Sequence, residues 1–314
     1  MSAIAPTTRR AAAGADPASG RTRPPRGGRK NRPLLAFRAG PGTYAFLTVA
    51  SVIFMVPLIF VVSISLSSDQ TVSSGRLTVL PHEFEWRNFV DIFRTSLPVG
   101  KFLINSVIIA GFSAIGQVLS SSLVGFAFAR LRAPGKNALF FIVIATMMIP
   151  MQITMIPQFF LFTKLGWIDT FLPLIVPQFF SNAYNIFLVR QFVTRIPYEM
   201  DEAAQLDGLG FFGIYRRLIL RMMFPVLMAL TIFTLTAAWG DFMGPLIYIN
   251  SEDKYPLALG VQYLTSTSND LQTPPWNLIM VGSIFLSLPM ILIYYFGQRY
   301  MYEMNIGTGS AGVK

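Results

Sequence analysis

The sequence predicts an all-α membrane protein with six transmembrane helices, and three observations carry that prediction. Hydrophobic residues make up 53% of the 314 positions and charged residues 13%, against roughly 25% charged in a soluble domain. Six stretches, 43–66, 102–129, 138–162, 170–189, 223–249 and 277–297, together hold 145 residues and a single charge, Asp241. Their lengths suit membrane helices rather than the shorter strands of a barrel, and lipid leaves no partner for an unpaired backbone group. The third observation is charge asymmetry. Of the 25 Lys and Arg residues, 19 fall in the tail, 130–137, 190–222 and 298–314, and six fall in the other connections. Basic residues are retained on the cytoplasmic side, so both termini are expected there. Trp86, Trp167, Trp239 and Trp276 then lie in or near the outer half, where amphipathic rings favour the interface.

Residues 1–40 form a basic tail rich in Arg, Pro, Gly and Ala, with nine basic residues before position 39. It lacks the apolar surface that would offset ordering entropy and reads as a disordered cytoplasmic segment whose charge sets topology. Residues 41–314 form one membrane domain. The first stretch, at 24 residues, is too long for the core of a cleaved signal and is expected to stay in the mature chain. The second carries Ser106, Gly111, Ser113, Gly116, Ser120, Ser121, Ser122 and Gly125, small residues that let helices approach closely. The other five contain Pro57, Pro150, Pro157, Pro173, Pro177, Pro225, Pro245 and Pro289, each expected to kink its helix. The outer stretch 67–101 is long enough for a small cap, and 250–275 is expected to be irregular with short helical turns.

Several function classes are disfavoured at this stage. The chain has no cysteine and one histidine, His82, which removes thiolate chemistry and histidine-based metal sites. The net charge of +10 is concentrated in the tail and loops rather than in a nucleic-acid-binding pattern. No GxxxxGK[ST] motif occurs, since the Gly-Lys pairs at 100 and 135 lack the following Ser or Thr. No catalytic, cofactor-binding or metal-ligating residue is assigned.

The connection 190–222 is the most informative segment. Pro197 forces an extended approach, and Glu199, Asp201 and Glu202 then occupy the first turns of a helix, where its dipole favours negative charge. That helix is expected to stop at Asp207 and Gly208. A second, amphipathic helix from about 211 carries Phe212, Tyr215, Leu218 and Ile219 at helical spacing, with Arg216, Arg217 and Arg221 on its polar side. Such a helix-turn-helix knob suits a groove on a cytoplasmic partner.

The segment EAAQLDG at 202–208 resembles the coupling-loop signature of bacterial ABC importer permeases. NSVIIA from 105, GFAFARL from 125, MMIPMQITMIPQFF from 147, FLVRQFVTRIPYEMDEAAQLDG from 187 and the final GTGSAGVK are similar to the maltose-type carbohydrate branch of that family. The resemblance implies an ABC importer permease fold with a cytoplasmic coupling helix in a bacterial inner membrane. It implies as partners a second homologous permease subunit, a cytoplasmic ATPase dimer and an extracytoplasmic sugar-binding protein, the chain itself being no enzyme. Transport would follow alternating access, with Glu202, Ala203, Ala204, Asp207 and Gly208 coupling it to ATP hydrolysis and the alanines allowing close seating in the ATPase. One departure is visible: the family signature usually ends in Ile-x-Leu-Pro, where this chain has Leu218, Ile219, Leu220 and Arg221.

Coupling motifs do not read substrate, so the same machine for a polyol or phosphodiester is the alternative within transport. Asp241 alone leaves open an ion-driven secondary transporter or an intramembrane enzyme, although the second carboxylate, histidine or serine dyad such an enzyme needs is not evident. A lone carboxylate in a span faces the bundle interior or water. Asp241 is therefore expected near the outer gate, bonded to a neighbouring helix or to a sugar hydroxyl, or else as a structural carboxylate.

Overall fold

The computed structural model describes residues 40–74, 83–266 and 274–306. The predicted tail through residue 39, His82 and the final GTGSAGVK lie outside them. The chain divides into a unit that ends at Ser51 and one that begins at Val52. The described part of the first is the opening of helix α1 (Pro41–Ser65).

All regular structure among the described residues is helical. After α1 come α2 (Val99–Arg130), α3 (Lys136–Thr146), α4 (Met151–Lys164) and α5 (Ala183–Thr194). Then follow α6 (Glu199–Leu206), α7 (Phe211–Met222), α8 (Phe224–Trp239), α9 (Met243–Tyr248), α10 (Leu257–Ser266) and α11 (Trp276–Ile306). Four segments, Pro41–Ser65, Val99–Arg130, Leu172–Thr194 and Trp276–Met301, are long and apolar enough to cross a membrane. The pairs α3–α4 and α7–α8 meet the same test only when each is taken together, across bends of 98° and 75°.

Proline explains where the chain bends and where it does not. Pro150 directly precedes α4, in an extended conformation, and the residue before a proline is barred from helical geometry, so the stretch 138–162 breaks instead of bending smoothly. Pro173, Pro177 and Pro225 occupy the first or second position of their helices, and Pro245 lies in the first turn of α9, where no intrahelical N–H bond is lost. Among the described residues, only Pro57, Pro157 and Pro289 sit in helix interiors. The predicted stretch 223–249 is likewise two helices, since α8 ends at Trp239 and the chain leaves helical geometry before α9.

Helix α2 organises the unit. Its 32 residues span about 48 Å, well beyond the ~30 Å hydrocarbon thickness. Its main neighbours are α5 and α8. At its Val99 end, Val99, Phe102 and Ala110 pack with Ile92, Trp239, Leu257, Val261 and Val281. At its Arg130 end, Phe126 joins Val189, Val193, Ile214, Ile219, Met223 and Val226. Small residues work as expected: a Cβ at Gly125 would stand 2.6 Å from Val189 Cβ and 3.2 Å from the Arg190 amide nitrogen, so α2 and α5 meet there backbone to backbone.

The stretch 250–275, expected to be irregular, contains a true helix instead. Pro256 opens α10, and Leu257, Val261 and Leu264 recur on one buried face. The loop before it is tied to the α4–α5 connection by Asp169, whose carboxylate accepts from Asn250 N at 3.0 Å, Ser251 N at 2.8 Å, Ser251 Oγ at 2.6 Å and Lys254 Nζ at 2.7 Å. The Lys254 ammonium, with Ser251, holds this carboxyl well below the usual carboxylate range. A carboxyl whose folded-state pKa is depressed stabilises the fold above its ordinary pKa, and this contribution disappears only as pH falls far below it. The clamp therefore persists through neutral and mildly acidic pH.

The glycines of α2 give a direct check on the packing. Gly125→Ala should destabilise the detergent-solubilised chain by about 1–3 kcal/mol, whereas Gly111→Ala, with nothing within 4 Å of the added methyl, should be neutral or better. Equal shifts in thermal unfolding for the two variants would contradict the close α2–α5 approach.

Candidate functional site

Helix α6 stops in the way its sequence demands. Gly208 N donates to Gln205 O at 2.9 Å and Leu209 N to Ala204 O at 3.0 Å, the paired bonds of a Schellman motif. The motif needs a left-handed residue, and Gly208 has φ +80°. It also places Leu209 against Ala204, and both belong to the apolar cluster beneath the loop. The eight residues of α6 thus have two faces. Asp201 and Ala204 are buried, while Glu202, Ala203, Gln205 and Leu206 are exposed, Leu206 at 90%.

Buried Asp201 meets Arg130, the last residue of α2, with Nε to Oδ2 at 2.7 Å. Burial pushes the Asp201 carboxyl up from its ordinary value, and the Arg130 guanidinium opposes that shift. Arg130 also donates Nη2 to Ile196 O at 2.8 Å, directly before Pro197, and lies over the Tyr198 ring at 5.4 Å. One guanidinium therefore joins the end of α2, the chain leaving α5, and the first turn of α6. Beyond the turn, α7 returns with a π-helical segment at Tyr215–Ile219. There Tyr215 is buried against Phe126 at 5.2 Å, its hydroxyl 2.8 Å from Ser122 Oγ on α2. Met223 is fully buried at the α7–α8 bend, and Pro225 starts α8, so the break is made without a proline at Arg221.

A second feature lies between α2, the segment leading into α5, and α8. A cavity of about 440 Å³ is lined by Gln117, Gln178, Asn182, Asn185, Thr234 and Asp241 among mainly apolar neighbours. Three interruptions of helix converge on it: Met151 at the start of α4, Asn182 before α5, and Asp241 between α8 and α9. Asp241 Oδ1 accepts from Gly244 N at 3.1 Å and so caps the first turn of α9.

Residues 121–303, more than half of the chain, match the family described as "Binding-protein-dependent transport system inner membrane component". The chain belongs to this family. It is similar to the arabinooligosaccharides transport system permease protein AraQ of Bacillus subtilis, with 27% identity over 86% of this chain and 94% of that one. It is also similar to a probable ABC transporter permease protein of Pyrococcus horikoshii, with 30% identity over 81% and 91%. Its fold resembles a chain in the crystal structure of a bacterial ABC transporter involved in the import of the acidic polysaccharide alginate, with TM-score 0.73, 21% identity, and coverage of 82% of this chain and 95% of that chain.

As a binding-protein-dependent permease, the chain is a multi-pass membrane transport component rather than a catalyst. The residues singled out in 202–208 do not all face the same way: Glu202, Ala203, Asp207 and Gly208 are exposed, whereas Ala204 is packed inside. Asp241 lies apart from them, at the cavity. Sequence reasoning missed the Arg130–Asp201 pair because Arg130 was counted as a topology charge and Asp201 as a partner of the helix dipole. The only signal was that both are charges at the ends of helices. It also missed Leu206, whose apolar side chain on an otherwise polar exposed face was the visible clue.

The buried pair yields a double-mutant prediction. Asp201→Leu or Arg130→Met alone should cost about 3–5 kcal/mol, because each leaves a buried charge unmatched. The combined Arg130→Met, Asp201→Leu variant should be more stable than either single change. Additive losses in thermal unfolding would mean that the pair is not coupled.

Proposed function

We propose that this protein is the membrane-spanning permease subunit of an ATP-driven, binding-protein-dependent carbohydrate importer that works by alternating access. Family membership supplies the permease assignment, and the sugar class rests on AraQ-type relatives together with the sequence likeness to the maltose-type branch. Counting each bent pair as one crossing gives six spans within a domain of about 41–314. The excess of Lys and Arg in 130–137 and 190–222 supports a cytoplasmic location for these connections and both termini, and the likeness to bacterial importer permeases supports a bacterial inner membrane. The tail before residue 40 is then a basic cytoplasmic segment. A second permease subunit, a cytoplasmic ATPase dimer and an extracytoplasmic sugar-binding protein complete the machine.

The observation that carries the reading is the α6 knob. It offers Glu202, Ala203 and Leu206 to a partner on one face and is anchored to α2 by Asp201 on the other. Ala203 gives close approach, and Leu206 supplies an apolar side chain for a groove. Ala204, Asp207 and Gly208 act indirectly, by fixing the helix end through packing and the left-handed turn. A coupling element must both be gripped and transmit, and this geometry meets both needs.

Gly208→Val tests the coupling role without steric interference, because nothing lies within 4 Å of a Cβ at Gly208. The left-handed backbone alone should cost about 1–3 kcal/mol locally. Insertion should persist while ATP-driven uptake is lost, and normal uptake at normal expression would remove the loop from the mechanism. A cysteine at position 203 should crosslink to the ATPase in membranes holding all subunits. The purified chain by itself should show neither ATP hydrolysis nor solute flux. Collapsing the ion gradient with ATP retained should leave uptake by the full assembly intact, and loss of uptake there would point to an ion-driven carrier.

A further inference from the structure

The cavity beside α2 contains polar side chains with no protein partner. Gln117 and Asn185 are 7% and 4% exposed, and neither carboxamide makes a hydrogen bond to the described protein. The carboxamide of Gln178 likewise has no protein partner among the described residues. Buried polar groups are normally satisfied, so a cluster of unsatisfied ones around one space points to a ligand that satisfies them. The small polar residues of α2 are paired: Ser113, itself on the cavity wall, donates to Leu174 O, Ser106 accepts from Leu257 N, and Ser122 meets Tyr215. Of the α2 residues that line the cavity, Gln117 is the one whose polar side chain has no protein partner among the described residues.

The charge of this lining narrows the ligand. It contains Asp241 and no Lys, Arg or His among the described residues. Carboxamides donate through N–H and accept through oxygen, which matches hydroxyls that do the same, and the carboxylate can only accept. A solute bearing a phosphate or carboxylate would face Asp241 with no cation nearby to offset the repulsion.

We propose that this cavity is a solute site selective for uncharged, hydroxyl-rich chains, with Gln117, Gln178 and Asn185 as the recognition groups and Asp241 as the element that excludes anionic sugars. The proposal rests on the importer reading above and adds the charge class of the solute, a point on which an acidic-polysaccharide importer of the same fold would differ.

The chain has no cysteine, so Ala237→Cys, on the cavity wall, gives this chain a single reporter thiol, whose labelling is read on this chain after its separation from the other subunits of the full assembly. Labelling by a trimethylammonium methanethiosulfonate should outpace labelling by its sulfonate analogue by at least about fivefold after correction for their rates with free thiol, and Asp241→Asn should reduce that ratio to near one. Uncharged trisaccharides (maltotriose, arabinotriose, raffinose) should include at least one that slows labelling, and trigalacturonate should not. The added change Asn185→Leu should abolish the protection. If Ala237→Cys does not assemble, Ala238→Cys reports on the same wall. Equal labelling rates for the two reagents, protection by trigalacturonate, or no protection by any of the trisaccharides overturns the proposal. ATP-driven uptake of the same sugars, measured in parallel, separates the two levels. Normal uptake with unselective labelling removes only the cavity assignment, whereas wild-type membranes with no ATP-driven uptake remove the importer reading and this inference with it.

Discussion

The contact between Arg130 and Asp201 is the one on which the working geometry depends. Two charges are held almost out of solvent, with side chains 6% and 4% exposed, which costs several kcal/mol per ion before their attraction is counted. Such a pair adds little to stability over an apolar replacement. Its effect is on register. Sliding α6 along α2 would separate opposite charges in a poorly polarisable interior, and turning α6 would expose Ala204 while burying Glu202. The guanidinium also holds Ile196 O, so the departure from α5 is fixed by the same group. Gln117 stands 13 residues up the same uninterrupted helix, about 20 Å from the pair. The anchor of the knob and the cavity wall are therefore joined by one continuous helix.

The interruptions in the other helices complement that rigidity. At membrane depth, backbone that leaves helical geometry is tolerated where protein or a water-lined space receives its free groups. The breaks before α4, before α5 and after α8 all border the cavity, and Asn182 and Asp241 each accept an amide hydrogen at the start of the next helix, from Tyr184 N at 2.8 Å and Gly244 N at 3.1 Å. A space walled by one continuous helix and several broken ones has a fixed side and adjustable sides. Alternating access requires that combination.

Helix class, the apolar stretches and the end of α6 were legible because each rests on local chemistry. Composition and periodicity reveal burial in lipid, and Asp207-Gly208 announces a left-handed stop within a few residues of sequence. The split of 138–162 was less legible, since Pro150 and Pro157 look alike in the sequence. The first stands in extended geometry ahead of α4 and the second lies inside that helix. For 250–275 the sequence suggests irregular structure with short helical turns, and the ten residues of α10 exceed that expectation. Nonlocal pairs were out of reach altogether: Arg130 and Asp201 are 71 positions apart, and nothing in either neighbourhood names the other.

The cavity illustrates the same limit from the other direction. Gln117, Gln178, Asn185 and Thr234 are scattered over 118 residues of sequence, and each is unremarkable alone. Asp241 attracted attention because charge is rare in the spans, but its carboxylate is partly engaged in capping α9 and makes only one corner of the site. What distinguishes the site is a contrast along a single helix. Its serines find backbone or hydroxyl partners within the protein, Ser113 on the cavity wall included, whereas the Gln117 carboxamide finds none. Leaving a buried polar group unmatched costs about 1–3 kcal/mol. Several such groups gathered around one volume make the empty bundle less favourable than the solvated or occupied one. The unpaired carboxamide on the cavity wall and the anchor of the knob thus belong to one helix.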